Sequence, residues 1–218
     1  MKIGVIGSGD VGRALATGFL RRGDEVMLSA RDASKQEIRE WAAKAASPHA
    51  RTGTFADAAA FGEMIVLATS WSGTEAALRL AGADRLAGKV LIDVTNPLDT
   101  SGGTPKLALG HNDSGGESVQ RWVPQTRVVK AFNIINAALM VHPKFEGGPP
   151  DMFIAGNDDD AKKAVTKVCT DFGWPVHDIG GIEGSGMLES LAMLWVTIGI
   201  RGAGWMHGFK LLQKGTGG

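Results

Sequence analysis

The chain has 218 residues, and its 23 Lys plus Arg balance 23 Asp plus Glu; with a pI near 7.0 and no local basic run, it lacks the cationic surplus that nucleic-acid binding needs. At 44% hydrophobic and 21% charged, it has the composition of a folded globule rather than a disordered chain. A single cysteine, Cys169, excludes an intrachain disulfide framework and a Cys-cluster zinc site, and the five scattered histidines show no metal-ligand spacing, so no metal is expected.

Short apolar runs rich in Val and Ile alternate with helix-length stretches. The runs are Lys2–Ile6, Glu25–Ala30, Met64–Ala68, Val90–Val94, Arg127–Ala131 and Asp151–Ala155. Segments apolar on both faces are what parallel strands covered by helices require. The first helix is expected over Val11–Arg22, stopping at Gly23, with Val11, Leu15 and Phe19 on one stripe. Ser34-Lys35-Gln36-Glu37 reads as a capping box opening a second helix that runs to about Ala46. Between Asp99 and Trp122 the pattern fades into a polar connection containing His111-Asn112-Asp113-Ser114-Gly115-Gly116. Asn157 or Asp158 caps a further helix through about Phe172, followed by a strand near Val176–Ile179.

The last segment, Met187–Leu212, is apolar nearly all round and reads as a buried helix for which a second copy of the chain is the expected cover. The Gly-Thr-Gly-Gly terminus reads as frayed. No signal-peptide core and no membrane-length apolar run is present, so a cytoplasmic homodimer without membrane partners is expected. The fold class is α/β: a Rossmann-type, doubly wound, mostly parallel sheet over residues 1–180, with a small C-terminal helical segment over 181–218 for dimerisation and cleft cover.

Glycine, at 31 residues, is about twice its usual ~7% share. It matters most in Gly7-Ser8-Gly9-Asp10-Val11-Gly12, which follows a strand and opens a helix. There the first glycine permits the turn, the second lets backbone approach a pyrophosphate, and the third lets helix and strand pack closely. A dinucleotide-binding loop is therefore expected. The second strand ends Ser29-Ala30-Arg31 without a carboxylate, and Arg31, Lys35 and Ser29 suit a 2′-phosphate, hence NADP(H); Asp32 next door leaves NAD open. Three further strand ends are expected to line one cleft above the nicotinamide: Thr69-Ser70-Trp71-Ser72, Thr95-Asn96-Pro97-Leu98 and Phe132-Asn133-Ile134-Ile135-Asn136. Each has a plainer reading too: Trp71 as packing, Asn96-Pro97 as a turn, Asn133 and Asn136 as helix caps. No nucleophile–base pair or paired-carboxylate motif stands out, so no catalytic side chain is assigned. Asp93 reads as an internal hydrogen-bonding group and Cys169 as a buried small hydrophobe.

The glycine loop, Asp93-Val94-Thr95-Asn96-Pro97-Leu98, Val128-Val129-Lys130-Ala131-Phe132-Asn133, the Phe153–Asp158 strand exit and Leu188-Glu189-Ser190-Leu191 together resemble the NADP oxidoreductase, coenzyme F420-dependent, family, and are similar to the STEAP cytoplasmic reductase domain. The resemblance implies that Ser8, Gly9, Asp10 and Val11 hold the pyrophosphate and that Arg31 and Lys35 hold the 2′-phosphate. It implies that Thr69, Ser70 and Trp71 border the nicotinamide and that Asn133 and Ile135 lie against the deazaflavin. The archaeal F420 enzymes carry His where this chain has Asn133. The expected activity is hydride transfer between NADP(H) and a deazaflavin (F420) or flavin. The alternatives are an NADP(H)-binding redox sensor without turnover and an NADPH reductase of another small molecule.

Overall fold

The computed structural model describes residues 1–110 and 112–214. His111 and the Gly-Thr-Gly-Gly terminus, expected in a polar connection and a frayed end, lie outside the described residues. The first half alternates strand and helix: β1 (Lys2–Ile6), α1 (Asp10–Arg22), β2 (Glu25–Ala30), α2 (Gln36–Ala45), β3 (Ala50–Thr54), α3 (Phe55–Phe61) and β4 (Met64–Leu67). It continues through α4 (Trp71–Ala81), α5 (Ala83–Leu86) and β5 (Val90–Asp93). A two-residue hairpin, β6 (Leu98–Asp99) with β7 (Lys106–Leu107), leads to α6 (Gly115–Trp122) and β8 (Arg127–Lys130). The chain closes with β9 (Met152–Gly156), α7 (Asp159–Asp171), β10 (Val176–Asp178) and α8 (Ser185–Ile198).

Eight strands form one sheet in the order β10-β9-β8-β5-β4-β1-β2-β3. Every neighbouring pair is parallel except β8 with β9. The strand order reverses at β1, with β2 on one side and β4 on the other. A crevice outside the carboxyl ends of the strands follows from that reversal. Both faces are covered, as the unbroken apolar runs require. On one face Val5, Val66, Ile92 and Val129 pack against α1, α2 and α7 through Leu15, Phe19, Trp41 and Val165. On the other, Ile65, Leu67, Leu91 and Val128 meet α3, α4 and α6 through Phe55, Leu78 and Val119.

Several elements differ from the sequence expectation. Helix α2 starts at Gln36, and Lys35 at its N-cap makes no side-chain cap. Ser34 is occupied instead, its N–H and hydroxyl donating to Asp32 at 2.8 and 2.7 Å. Strand β3 (Ala-Arg-Thr-Gly-Thr) lies at the sheet edge and needs no apolar run. Part of the expected polar connection is helix α6, capped by Ser114, which accepts from the Glu117 N–H. Helix α7 is capped by the Asp158 side chain, as expected. The expected C-terminal helix is cut short. After Ile198 the chain makes a wide turn over Gly199–Ala203, and Gly202 and Gly204 take φ of 114° and 69°, left-handed values that glycine adopts without strain. The chain then folds back: the Trp195 indole donates to the His207 carbonyl at 2.9 Å, and the Asp151 N–H donates to the Phe209 carbonyl at 2.8 Å. No helix among the described residues is long and apolar enough to cross a membrane.

Helix α3 carries a reciprocal cap. Thr54 Oγ1 accepts from the Asp57 N–H while Asp57 accepts from the Thr54 N–H and hydroxyl. The Thr54 hydroxyl, then its N–H, hold the Asp57 carboxyl below its ordinary pKa. A depressed carboxylate contributes its stability above the unfolded pKa of about 4 and loses it as pH falls through the lower folded value. Thr54→Ala should therefore lower stability by about 1 kcal/mol at neutral pH, with a smaller difference in acid, read from urea midpoints across pH.

Candidate active site

The chain turns from β1 into α1 through Gly7, whose φ is 122°. A Cβ there would sit 2.2 Å from the Ala68 carbonyl oxygen, and one on Gly12 would sit 2.1 Å from the Gly7 carbonyl oxygen. Both glycines are thus needed by the protein's own packing. Gly9 is different: it caps α1 in an extended conformation, and a Cβ there would meet nothing within 4 Å. The first N–H groups of α1 and the positive end of its dipole therefore face open space. Arg13 braces the loop, donating to the Ser8 carbonyl at 2.6 Å and pairing with Asp10.

A cleft of about 490 Å³ opens there, lined by Gly7, Ser8 and Gly9, by Arg31 and Lys35 beyond β2, and by Thr69 and Ser70 beyond β4. A larger groove of about 810 Å³ lies between α1, α2 and Ala137–Val141. It is away from the glycine loop and the strand ends, so its size does not make it the site. Arg31 is exposed and enters no hydrogen bond or ion pair found among the described residues. Lys35 Nζ reaches Ser8 Oγ at 3.2 Å, which hangs a second cation over the loop. Asp32 is engaged in its own turn, its carboxyl held below the ordinary pKa by the Ser34 N–H and hydroxyl. Ser29 corrects the expectation: it is fully buried and its hydroxyl donates to the Val5 carbonyl at 2.6 Å, so it ties β2 to β1 and is not presented to a phosphate.

The other predicted residues fall into a second cluster over β5 and β8. Asn96 Nδ2 donates to the Asn133 carbonyl at 2.7 Å, and Asn133 Nδ2 donates to Asn96 Oδ1 at 3.0 Å and to the Leu188 carbonyl at 2.9 Å. Asn133 Oδ1, buried, has no partner among the described residues. Phe132 just before it holds a φ of 60°, a strained conformation for a bulky residue, costing on the order of 1 kcal/mol. Trp71 turns away from the glycine-loop cleft and stacks on Trp122, with centroids 5.5 Å apart. Pro97 is buried beside Gly115. Ile135 is only 6% exposed, and Gly208 of the returning C-terminal segment lies over it. The structure therefore gathers Gly7, Ser8, Gly9, Arg31, Lys35, Thr69 and Ser70 around one cleft and places Asn96, Pro97 and Asn133 at the neighbouring strand ends, while Asp10 pairs with Arg13 and Val11, Gly12, Ser29, Ile135 and the Trp71 ring are committed to packing.

Residues 2–97 match the family described as NADP oxidoreductase coenzyme F420-dependent. The chain is 31% identical to the F420-dependent NADP reductase of Methanothermobacter thermautotrophicus over 92% of its own length and 90% of that protein's. It belongs to the F420-dependent NADP reductase family. A crystal structure from Arthrobacter sp. FB24, described as a candidate F420-dependent NADP reductase, superposes with a TM-score of 0.91 at 37% identity, covering 98% of this chain and all of that one. Rat metalloreductase STEAP3 is 30% identical over 88% of this chain, which spans 36% of that protein's length. This member of the F420-dependent NADP reductase family is thus an NADP-dependent oxidoreductase with a Rossmann-type fold.

Asp93 is the internal hydrogen-bonding group expected in this reductase-family fold, but its partners Lys130 and Glu189 escaped sequence reading. Lys130 is fully buried, with Asp93 and Glu189 against it. Burial disfavours its ammonium, but the two carboxylates overcome this and hold its pKa above the ordinary lysine value. The available signal was a lysine inside an apolar strand run, in register with Asp93 on the neighbouring strand. Glu189 carries no such signal, because its approach depends on how α8 docks.

Proposed function

We propose that this protein transfers hydride between NADP(H) and the flat ring of a deazaflavin (F420) or flavin. The observation that carries the reading is the pairing of an open, glycine-capped helix terminus with Arg31 at the end of β2, while Asp32 is tied to Ser34. The α1 N–H groups and Gly9 take the pyrophosphate, and Arg31 with Lys35 takes the 2′-phosphate. Thr69 and Ser70 lead the nicotinamide toward the Asn96–Asn133 cluster at the ends of β5 and β8. When bound, NADPH supplies the hydride from its nicotinamide ring, and the chain's task is close, aligned placement of two rings with water excluded. That role is consistent with strand-end loops that offer amides and hydroxyls and no assigned catalytic acid.

We further propose that the protein works as a homodimer in the cytoplasm. Met187 and Leu194 on α8, with Ile200, Met206 and Leu212 beyond it, are 50–83% exposed apolar side chains concentrated in one segment. A second copy would cover them, and a monomer mass by light scattering at micromolar concentration would overturn that assignment.

The functional test is anaerobic mixing of protein and NADPH with F420, FMN or FAD, followed by absorbance. Bleaching of F420 is the expected result, and reduction of FMN or FAD alone would make the acceptor an ordinary flavin. Tight NADPH binding without turnover of any of the three would replace this reading with a sensor or a reductase of another small molecule.

A further inference from the structure

Lys130 is the last residue of β8 and Asp93 the last of β5, and the parallel register sets them side by side. The Lys130 ammonium donates to Asp93 Oδ2, to the Thr95 carbonyl and to Glu189 Oε1, each at 2.8 Å. Those three bonds use all its protons. Asp93 Oδ1 in turn accepts from the Thr95 N–H at 2.9 Å and from the Thr95 hydroxyl at 2.7 Å. Glu189 accepts from the N–H groups of Gly115 and Gly116, the first two residues of α6, at 2.9 and 3.0 Å. The helix terminus thereby offsets the second buried negative charge.

Lys130, at the end of β8, therefore ties the end of β5 and the loop leaving it to α8, and Glu189 carries the connection on to the start of α6. The fit is close, since a Cβ on Gly116 would lie 2.1 Å from Ser185 Oγ of α8. Directly after the two strand ends come Asn96 and Asn133, bonded to each other and, through Asn133, to the carbonyl of Leu188 beside Glu189. Apolar side chains of similar volume would hold such a junction without the cost of desolvating three charges. A fully satisfied polar network instead selects one arrangement of the groups it joins.

We propose that Lys130, with Asp93 and Glu189, is the positioning element that sets where the nicotinamide ring rests, by locking the Val94–Pro97 and Ala131–Asn133 loops to α8. This rests on the function proposed above, which puts the nicotinamide over the ends of β5 and β8. The triad makes no hydrogen bond to the glycine loop, Arg31 or Lys35, so it acts on the reacting end of the cofactor and not on its anchorage.

The test is Lys130→Met, which keeps the stem and removes the charge, together with Glu189→Gln, a smaller perturbation that serves if Lys130→Met does not yield folded protein. Three quantities are measured: the Kd for NADPH, kcat and KM with F420, and the time-resolved fluorescence anisotropy of the bound nicotinamide. The expected result is a Kd within about threefold of wild type, since the phosphate contacts are untouched, and a kcat lower by about 10- to 100-fold, as displacement of a reacting group by ~1 Å produces. The bound nicotinamide should gain a fast anisotropy decay that wild type lacks. Folded variants with wild-type kcat and wild-type anisotropy would overturn the proposal. So would a Kd that rises in step with the loss of kcat, which marks general loosening. Wild-type protein that reduces none of F420, FMN and FAD defeats the functional reading alone, and the anisotropy still decides this one.

Discussion

Gly9→Val should abolish measurable NADPH binding while leaving a folded protein. Gly9 has φ −68° and ψ −176°, values open to any L-residue, and an added Cβ would touch no atom of the protein. The branched side chain would fill the space in front of the α1 N–H groups, where the pyrophosphate has to approach. Losing a glycine N-cap costs on the order of 1 kcal/mol, so Tm should fall by about 2–4 °C in a chain of this size. Gly12→Val should do the reverse. Its Cβ would collide with the Gly7 carbonyl oxygen, so helix and strand would have to part, costing on the order of 3 kcal/mol before any ligand is added. Calorimetric titration with NADPH and thermal unfolding of the two variants separate the roles. Unchanged NADPH affinity in Gly9→Val would show that the pyrophosphate binds elsewhere.

The second large effect is on cofactor choice. Arg31→Ala should raise the Kd for NADPH by about 10- to 100-fold, the worth of charge-assisted hydrogen bonds to a phosphate, and leave the Kd for NADH nearly unchanged. The structure sharpens this expectation in two ways. Arg31 enters no ion pair found among the described residues, so its removal orphans no carboxylate. Asp32, the residue that could have favoured the bare ribose, spends its oxygens on Ser34. The NADPH preference should also shrink as salt rises, because the contact is exposed and screened. Equal losses for both dinucleotides would remove Arg31 from the 2′-phosphate.

Much of this site was legible along the chain. The glycine loop, Arg31, and the loops beyond β4, β5 and β8 were all read from strand, turn and helix signals within a few residues of one another. Ser29 and Ile135 do not line the cleft, for a shared reason: a position near a strand end does not say whether the side chain points to the crevice or into the sheet. Ser29 points to Val5, and Ile135 lies beneath Gly208, nearly 75 residues further on. The polar stretch before Trp122 hid a helix because α6 depends on Ser114 for its cap and on Glu189 to receive its first N–H groups.

Periodicity and local turn chemistry were sufficient for the α/β class, the glycine-capped helix and the cation at the end of β2, since each depends on residues within one turn or one strand. The junction at Lys130 and the reversal after Ile198 required long-range packing. A buried ammonium needs a paired charge and an acceptor for each proton, and here those groups come from positions 93, 95 and 189. The chain beyond Gly204 folds back onto Trp195 of α8 and onto Asp151 and Pro149, and the last two lie outside the segment and cannot be seen from its sequence.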